Sequence, residues 1–179
     1  MARSVAFLRA INVGGHVVKM DRLCALLESV GLADVTSFIA SGNILFESKK
    51  GAAQVEALIE TTLKAALGYE VTTMVRSASE VSAIVDHVEA EQLSDGAGVV
   101  LYVGLLKTTP SPECRPAVAD LSTDVDTLIV HGRELYWRCN KRFSDSTIKA
   151  PQLGKALGVP MTTRNINTLR RLAARLPPP

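Results

Sequence analysis

The stretch VAFLRAINVGG, residues 5–15, decides how the first half of the chain is interpreted. Its first four residues are apolar and end at Arg9, which is typical of a short buried strand that leaves its sheet at a charged side chain. The pair Gly14 and Gly15 then breaks the chain before residues 20–30, whose apolar residues recur at helical spacing. The stretch therefore predicts a strand, a loop and a helix in that order.

The next sixty residues extend this pattern with three more strands and one more helix. Strands are predicted at 34–39, 44–46 and 71–75, and a helix at 52–67 that Gly68 ends. The resulting order, β-α-β-β-α-β, is that of the ferredoxin-like unit. The first half of the chain therefore predicts one such unit.

The second half repeats the alternation of strands and helices. Its predicted elements are a helix at 78–88, a strand at 99–106, a helix at 113–121, a hairpin of 127–130 and 134–138, and helices at 146–157 and 165–176. We therefore expect an α+β protein with two ferredoxin-like subdomains, residues 1–76 and 77–179, of which the second carries the closing C-terminal helix. Because the halves share little residue identity, a duplication is predicted from the topology alone.

The composition limits the classes of partner. The chain has 20 Lys and Arg against 18 Asp and Glu, so no overall charge favours a nucleic acid or a membrane. No apolar run approaches the roughly 18 residues that a membrane span needs, and the N-terminus lacks the pattern of a signal peptide. The three cysteines form no C-x-x-C pair, which argues against zinc and fits a reducing cytoplasm. We expect a cytoplasmic protein with no metal site, and the sequence identifies neither a cofactor nor an oligomeric state.

Three short polar clusters carry the candidate site. The first is RAINVGG at 9–15, the second SGN at 41–43 and the third TTRNINT at 162–168. Their arginines supply positive charge, their glycines allow close approach of the backbone, and their hydroxyl and carboxamide groups direct hydrogen bonds. We predict that a small anionic or polar ligand is held in a cleft by eight residues, namely Arg9, Asn12, Gly14, Gly15, Ser41, Asn43, Arg164 and Asn165.

Ordinary structural roles explain the same clusters. A Gly-Gly pair and a Ser-Gly-Asn triplet are common in turns, and Thr and Asn residues cap helices. The alternative hypothesis is that the polar motifs lock the two subdomains together, while the function lies in protein association. No combination of Ser41 with a histidine and an acid is suggested by the spacing, so no catalytic residue is named and enzymatic activity stays an open question.

A third hypothesis rests on the basic end of the chain. After Cys139 there are eight Lys and Arg residues and one Asp. Nucleic acid would bind through Lys141, Arg142, Arg170 and Arg171. The aromatic content of 4% weakens this hypothesis, because no strand carries the aromatic pattern of RNA-binding sheets.

Several of these motifs together resemble a known family. They are residues 8–15, 41–43 and 163–168, with the single residues Met20, Leu23, Val35 and Phe46 between them. In this combination the chain resembles the uncharacterised bacterial family catalogued as domain of unknown function 1697. The resemblance implies an α+β protein with ferredoxin-like subdomains and no established activity, and it supplies no catalytic residues.

The chain departs from this family at three places. Ala10 stands where a glycine is usual, Ile166 where an aromatic residue is common, and residues 86–88 where a turn resembling Asn-Pro-Phe often occurs. The missing aromatic ring at Ile166 weakens any proposal that this helix start stacks on a base or a ring.

Overall fold

The computed structural model describes residues 2–12, 17–39, 42–94, 96–140 and 145–176. The chain divides into two compact units, of which the first runs to Ser82 and takes in the chain from Leu172 onward, while the second spans Ala83–Arg171. The subdomain boundaries expected from the sequence, 1–76 and 77–179, stay a prediction. In the described part of the chain, no helix is long and apolar enough to cross a membrane.

The first unit has a four-stranded antiparallel sheet with two helices on one face. Its elements are β1 (Ala2–Leu8), α1 (Met20–Ser29), β2 (Ala33–Ser37), β3 (Asn43–Ser48), α2 (Ala52–Leu67) and β4 (Thr73–Ser77), with the strand order β2-β3-β1-β4. The core forms because apolar residues at helical spacing, such as Leu23 and Ile59, pack against alternate strand residues such as Ala6 and Phe46.

The second unit has the same plan. Helix α3 (Ala78–Ala90) leads from β4 into β5 (Val100–Leu106), α4 (Cys114–Ala119), β6 (Asp126–His131), β7 (Glu134–Cys139), α5 (Ala150–Leu157), β8 (Met161–Asn165) and α6 (Ile166–Ala173), with the strand order β6-β7-β5-β8. Leu106, Leu135 and Trp137 of the sheet pack against Val118 of α4 and Leu153 of α5. The α+β class predicted from the sequence is confirmed.

Two elements depart most from the prediction. The helix predicted over 146–157 begins only at Ala150, where Pro151 in the first turn favours a helix start. The strand β8 was not predicted, because its sequence MTTRN was interpreted as the capped start of the last helix. The fourth strand of the second sheet is therefore a correction to the predicted order.

The two sheets match each other strand by strand. In both, the strand order reads second, third, first, fourth. The backbone hydrogen bonds at the end of the first strand are also repeated: Leu8 N donates to Gly42 O at 2.8 Å, and Leu106 N donates to Arg133 O at 2.9 Å. The shared topology of the two units is therefore visible in the backbone hydrogen bonds as well.

The repeat includes two buried arginines. Arg76 is the fourth residue of β4 and pairs with Val5, and Arg164 is the fourth residue of β8 and pairs with Val103. Each guanidinium donates from Nη1 to the carbonyl of the residue before it, at 3.0 Å for Arg76 and 2.9 Å for Arg164. Position 164 in the second unit therefore corresponds to position 76 in the first.

Candidate functional site

The first two polar clusters meet at one end of the first sheet. Leu8 N donates to Gly42 O at 2.8 Å, which joins the exit of β1 to the turn before β3. A Cβ atom added to Gly42 would lie 2.8 Å from Cγ2 of Ile11, so residues 8–12 pack directly against this turn. The predicted residues Gly14, Gly15 and Ser41 lie outside the described residues.

The two asparagines of these clusters hydrogen-bond within the chain. Asn43 is fully buried, donates from Nδ2 to Phe38 O at 3.0 Å and accepts the N–H of Phe38 at 2.8 Å through its backbone carbonyl. Asn12 is exposed, and its Oδ1 accepts the N–H of Val18 at 2.8 Å. Asn43 therefore joins the start of β3 to the residue after β2, and Asn12 joins the segment after β1 to Val18, which precedes α1.

Arg9 presents an exposed cation beside these loops. Its backbone N–H donates to Thr72 O at 2.9 Å, which fixes the start of the side chain at the end of β1. Its side chain is exposed, and no carboxylate of the described residues lies within ion-pair distance of it. The guanidinium can therefore form a bidentate pair with a carboxylate or phosphate from solution.

Left-handed backbone conformations occur on both sides of this junction. Ala10 has a φ of 59° and Ile39 a φ of 58°, and neither is a glycine. A β-branched residue such as Ile39 is a true outlier there, and such residues cost about 1–3 kcal/mol each and concentrate at functional sites. Ile39 is also 44% exposed, so burial of its side chain does not account for the conformation.

A second arginine of the first unit lies over the same turn. The guanidinium carbon of Arg175 is 4.9 Å from the ring centre of Phe38, a cation–π contact. The ligand site predicted from the sequence does not include this arginine. No local pattern relates residue 175 to residue 38, so only the fold reveals the contact.

The third cluster belongs to the second unit. Arg164 is 8% exposed, and its Nη1 donates to Oγ1 of Thr162 at 2.8 Å as well as to the carbonyl of Thr163. This burial lowers the pKa of Arg164 to about 10, because the charged form loses its hydration. Asn165 Oδ1 accepts the N–H of Asn167 at 2.9 Å, as a residue at a helix start commonly does.

Arg170, one of the basic residues of the nucleic-acid hypothesis, is paired within the chain. Arg170 Nη2 lies 2.6 Å from Glu89 Oε1 and donates to Ser94 Oγ at 3.0 Å. Lys141 and Arg142 lie outside the described residues. No group of three or more His, Cys, Asp or Glu side chains within the described ranges is placed to hold a metal ion.

Comparison with known proteins gives a family and a fold. A family model described as "Protein of unknown function (DUF1697)" matches residues 1–136. No curated protein matches the chain. The solved structure of the conserved bacterial protein SP0830 from Streptococcus pneumoniae has a TM-score of 0.72 and 22% sequence identity, and the match covers 98% of this chain and 99% of that one. At this identity the match shows a shared fold.

Proposed function

The chain belongs to the DUF1697 family of proteins of unknown function, and we propose that it binds a small anionic ligand beside Arg9 at the end of the first sheet. The observation that carries this proposal is the exposed Arg9 guanidinium, which has no carboxylate partner among the described residues. It lies at the junction of two loops that hydrogen bonds hold together.

Two further observations support this location. The non-glycine residues Ala10 and Ile39 adopt left-handed conformations on both sides of the junction. Arg175 adds a second cation against the neighbouring turn. The predicted residues Gly14, Gly15 and Ser41 follow the same loops in the sequence, and we propose that their amides and hydroxyl complete the site.

A thermal-shift screen with matched variants tests this function. The ligands are inorganic phosphate, phosphorylated metabolites, nucleotides and small carboxylates, each tested on the wild type, Arg9→Ala, Arg175→Ala and Lys49→Ala. Lys49 is the control because it is an exposed cation directly after β3. It lies at the end of the sheet where β1 begins, whereas Arg9 follows the opposite end of β1. A ligand at 100 times its Kd adds about 2.7 kcal/mol to the stability of the protein that binds it.

We expect one ligand class to raise the melting temperature of the wild type and of Lys49→Ala but not of Arg9→Ala, with a smaller effect of Arg175→Ala. The proposal is wrong if no ligand changes the melting temperature, or if Arg9→Ala responds as the wild type does.

The three cysteines are unpaired thiols, and we include a cytoplasmic location in the proposal because reducing compartments preserve them.

A second candidate function is association with another protein. Under this hypothesis the polar clusters have only structural roles. Asn12, Asn43, Arg164 and Asn165 all hydrogen-bond within their own unit, which favours structural roles for these four. Under this hypothesis Arg164→Ala loses several kcal/mol of stability because Arg164 is buried, while Arg9→Ala loses less than about 0.5 kcal/mol. Urea unfolding of both variants, together with a negative ligand screen, would favour it over the ligand site.

A further inference from the structure

A cavity lies in the first unit, beside the start of α2. Its volume is about 170 Å³, and the residues around it belong mainly to β1, β3, β4 and the first turn of α2. Phe46, Val55 and Val75 form its apolar wall. These three residues are buried and belong to the core between the sheet and its helices. The cavity therefore borders the core of this unit.

Three serines on neighbouring strands supply the polar wall of the cavity. Ser4 of β1, Ser48 of β3 and Ser77 of β4 all line it, and Ser4 lies directly opposite Ser77 in the sheet. The hydroxyl of Ser77 is used at the start of α3, where its Oγ accepts the N–H of Glu80 at 3.2 Å. The hydroxyls of the other two serines remain to be accounted for.

These two hydroxyls donate no hydrogen bond to the described part of the chain. Ser48 is 8% exposed, and its Oγ accepts the N–H of Lys50 at 3.0 Å, but its proton reaches no acceptor among the described residues. The half-buried hydroxyl of Ser4 forms no hydrogen bond at all within the same ranges. Polar groups inside proteins are normally hydrogen-bonded, so two such hydroxyls at one cavity favour a polar group of a ligand as their partner.

The second unit has an aromatic ring at the equivalent position. Ser4 in the first sheet corresponds to Tyr102 in the second, because Ser4 pairs with Phe46 as Tyr102 pairs with Trp137. Phe46 and Trp137 both face the helices of their unit, and the side chain of Tyr102 packs against the core there. The cavity therefore lies beside the position from which a phenol ring enters the core of the second unit.

We propose that this cavity binds an uncharged molecule with one six-membered ring and a hydroxyl group, of which phenol is the simplest. The size fits, because a cavity of about 150 Å³ suffices for a benzene ring. The apolar wall contacts the ring, and Ser4 and Ser48 hydrogen-bond to its hydroxyl. Lys50 and Glu80 line the cavity with opposite charges, so no net charge favours an ion. The site is separate from the anion site at Arg9, which follows the other end of β1.

Titration of the protein with phenol, followed by NMR of its backbone amides, tests the proposal directly. We expect saturable shifts at the amides of Ser4, Val55 and Val75, and none at Arg9 or Trp137. Toluene has the same ring without the hydroxyl, and it should shift the same amides. The two dissociation constants measured in this way are the reference for the variants.

Two variants of Ser4 separate the hydroxyl from the space. Ser4→Ala removes a hydroxyl that the protein does not use, so it should fold as the wild type does, bind phenol about threefold to tenfold more weakly and bind toluene unchanged. Ser4→Tyr introduces the side chain found at position 102, and it should fill the cavity and abolish the binding of both molecules. The matched control is Ser29→Ala, an exposed serine of the same unit that does not line the cavity.

Three results would overturn the proposal. These are the absence of saturable shifts with millimolar phenol, shifts that avoid the residues around the cavity, and equal phenol binding by Ser4→Ala and the wild type. If Ser4→Tyr fails to fold, the comparison of phenol with toluene in Ser4→Ala still decides the matter. Arg9→Ala should bind phenol as the wild type does, so the outcome is independent of the anion site.

Discussion

Gly42 is the residue on which the junction of the two loops depends. Its φ is +72°, and an added Cβ would meet Ile11 at 2.8 Å and Cβ of Leu8 at 3.2 Å. Left-handed strain costs about 1–2 kcal/mol and overpacking about 1–3 kcal/mol, so we expect Gly42→Ala to lower the free energy of unfolding by about 2–5 kcal/mol. Urea unfolding measures this loss.

A second glycine provides the matched control for Gly42→Ala. Gly31 has a φ of +92°, but nothing lies within 4 Å of a Cβ added there. Gly31→Ala should therefore lose only the backbone contribution, about 1–2 kcal/mol. Equal losses in the two variants would show that the contact with Ile11 does not limit the space at Gly42.

Cys24 should be a slowly reacting thiol. Burial raises its pKa, and the nearby carboxylate of Glu28 raises it further. The thiolate is the reactive form, so iodoacetamide should modify Cys24 more slowly than free cysteine at pH 8, and the rate should increase as the pH rises further. Mass spectrometry of the modified protein measures the rate, and Glu28→Gln should increase it. A rate at pH 8 equal to that of free cysteine would contradict this expectation.

Among the helices and strands, the hydrogen bonds between α2 and β4 lead to a prediction. Two glutamates of α2 accept backbone N–H groups of β4. Glu56 is 6% exposed and accepts the N–H of Val75, which is 2% exposed. Because Glu56→Ala leaves a buried donor without its acceptor, we expect a loss of about 1–3 kcal/mol in the free energy of unfolding. Glu56→Gln keeps an acceptor and should restore most of it.

Glu60→Ala is the comparison for this prediction. Glu60 accepts the N–H of Thr73 in the same way but is only half-buried, so water can replace it more easily. We expect Glu60→Ala to lose less stability than Glu56→Ala in urea unfolding. The reverse order would show that burial of the carboxylate is not the deciding factor.

The elements also show what the sequence can and cannot predict. Helices α1 and α2 were predicted because apolar residues recur along them at helical spacing. β8 was missed because it passes into α6 without a loop, and Asn165 both ends the strand and caps the helix. In the strand, Thr162 and Arg164 face inward and are buried. The helix-start interpretation therefore placed Arg164 in a ligand site.

At the scale of the whole molecule, the repeat is preserved by the backbone more than by the side chains. Arg9 N donates to Thr72 O and Lys107 N donates to Pro160 O, both at 2.9 Å, although Thr72 and Pro160 share no chemistry. Backbone hydrogen bonds do not depend on residue type, so the two units keep one topology while their sequences diverge. This explains why the sequence predicts most of the elements but neither β8 nor the correspondence of Arg76 with Arg164.

The single tryptophan permits a test of how the two units unfold. Trp137 lies in the second unit and donates from Nε1 to Oδ1 of the buried Asp126 at 2.6 Å, so its fluorescence reports that unit alone. The division between the units falls inside α3 and inside α6, so unfolding either unit disrupts helices that both use. We therefore expect the fluorescence and far-UV circular dichroism midpoints in urea to coincide.

A variant of the first unit sharpens this test. Residue 42 is far along the chain from Trp137. Gly42→Ala should nevertheless lower the fluorescence midpoint as much as the circular dichroism midpoint, because unfolding of one unit disrupts a helix that the other unit also uses. If the fluorescence midpoint stays at its wild-type value while circular dichroism shows two transitions, the units unfold independently. In that case α3 and α6 connect two domains whose stabilities are separate, and a ligand at Arg9 would stabilise only the first.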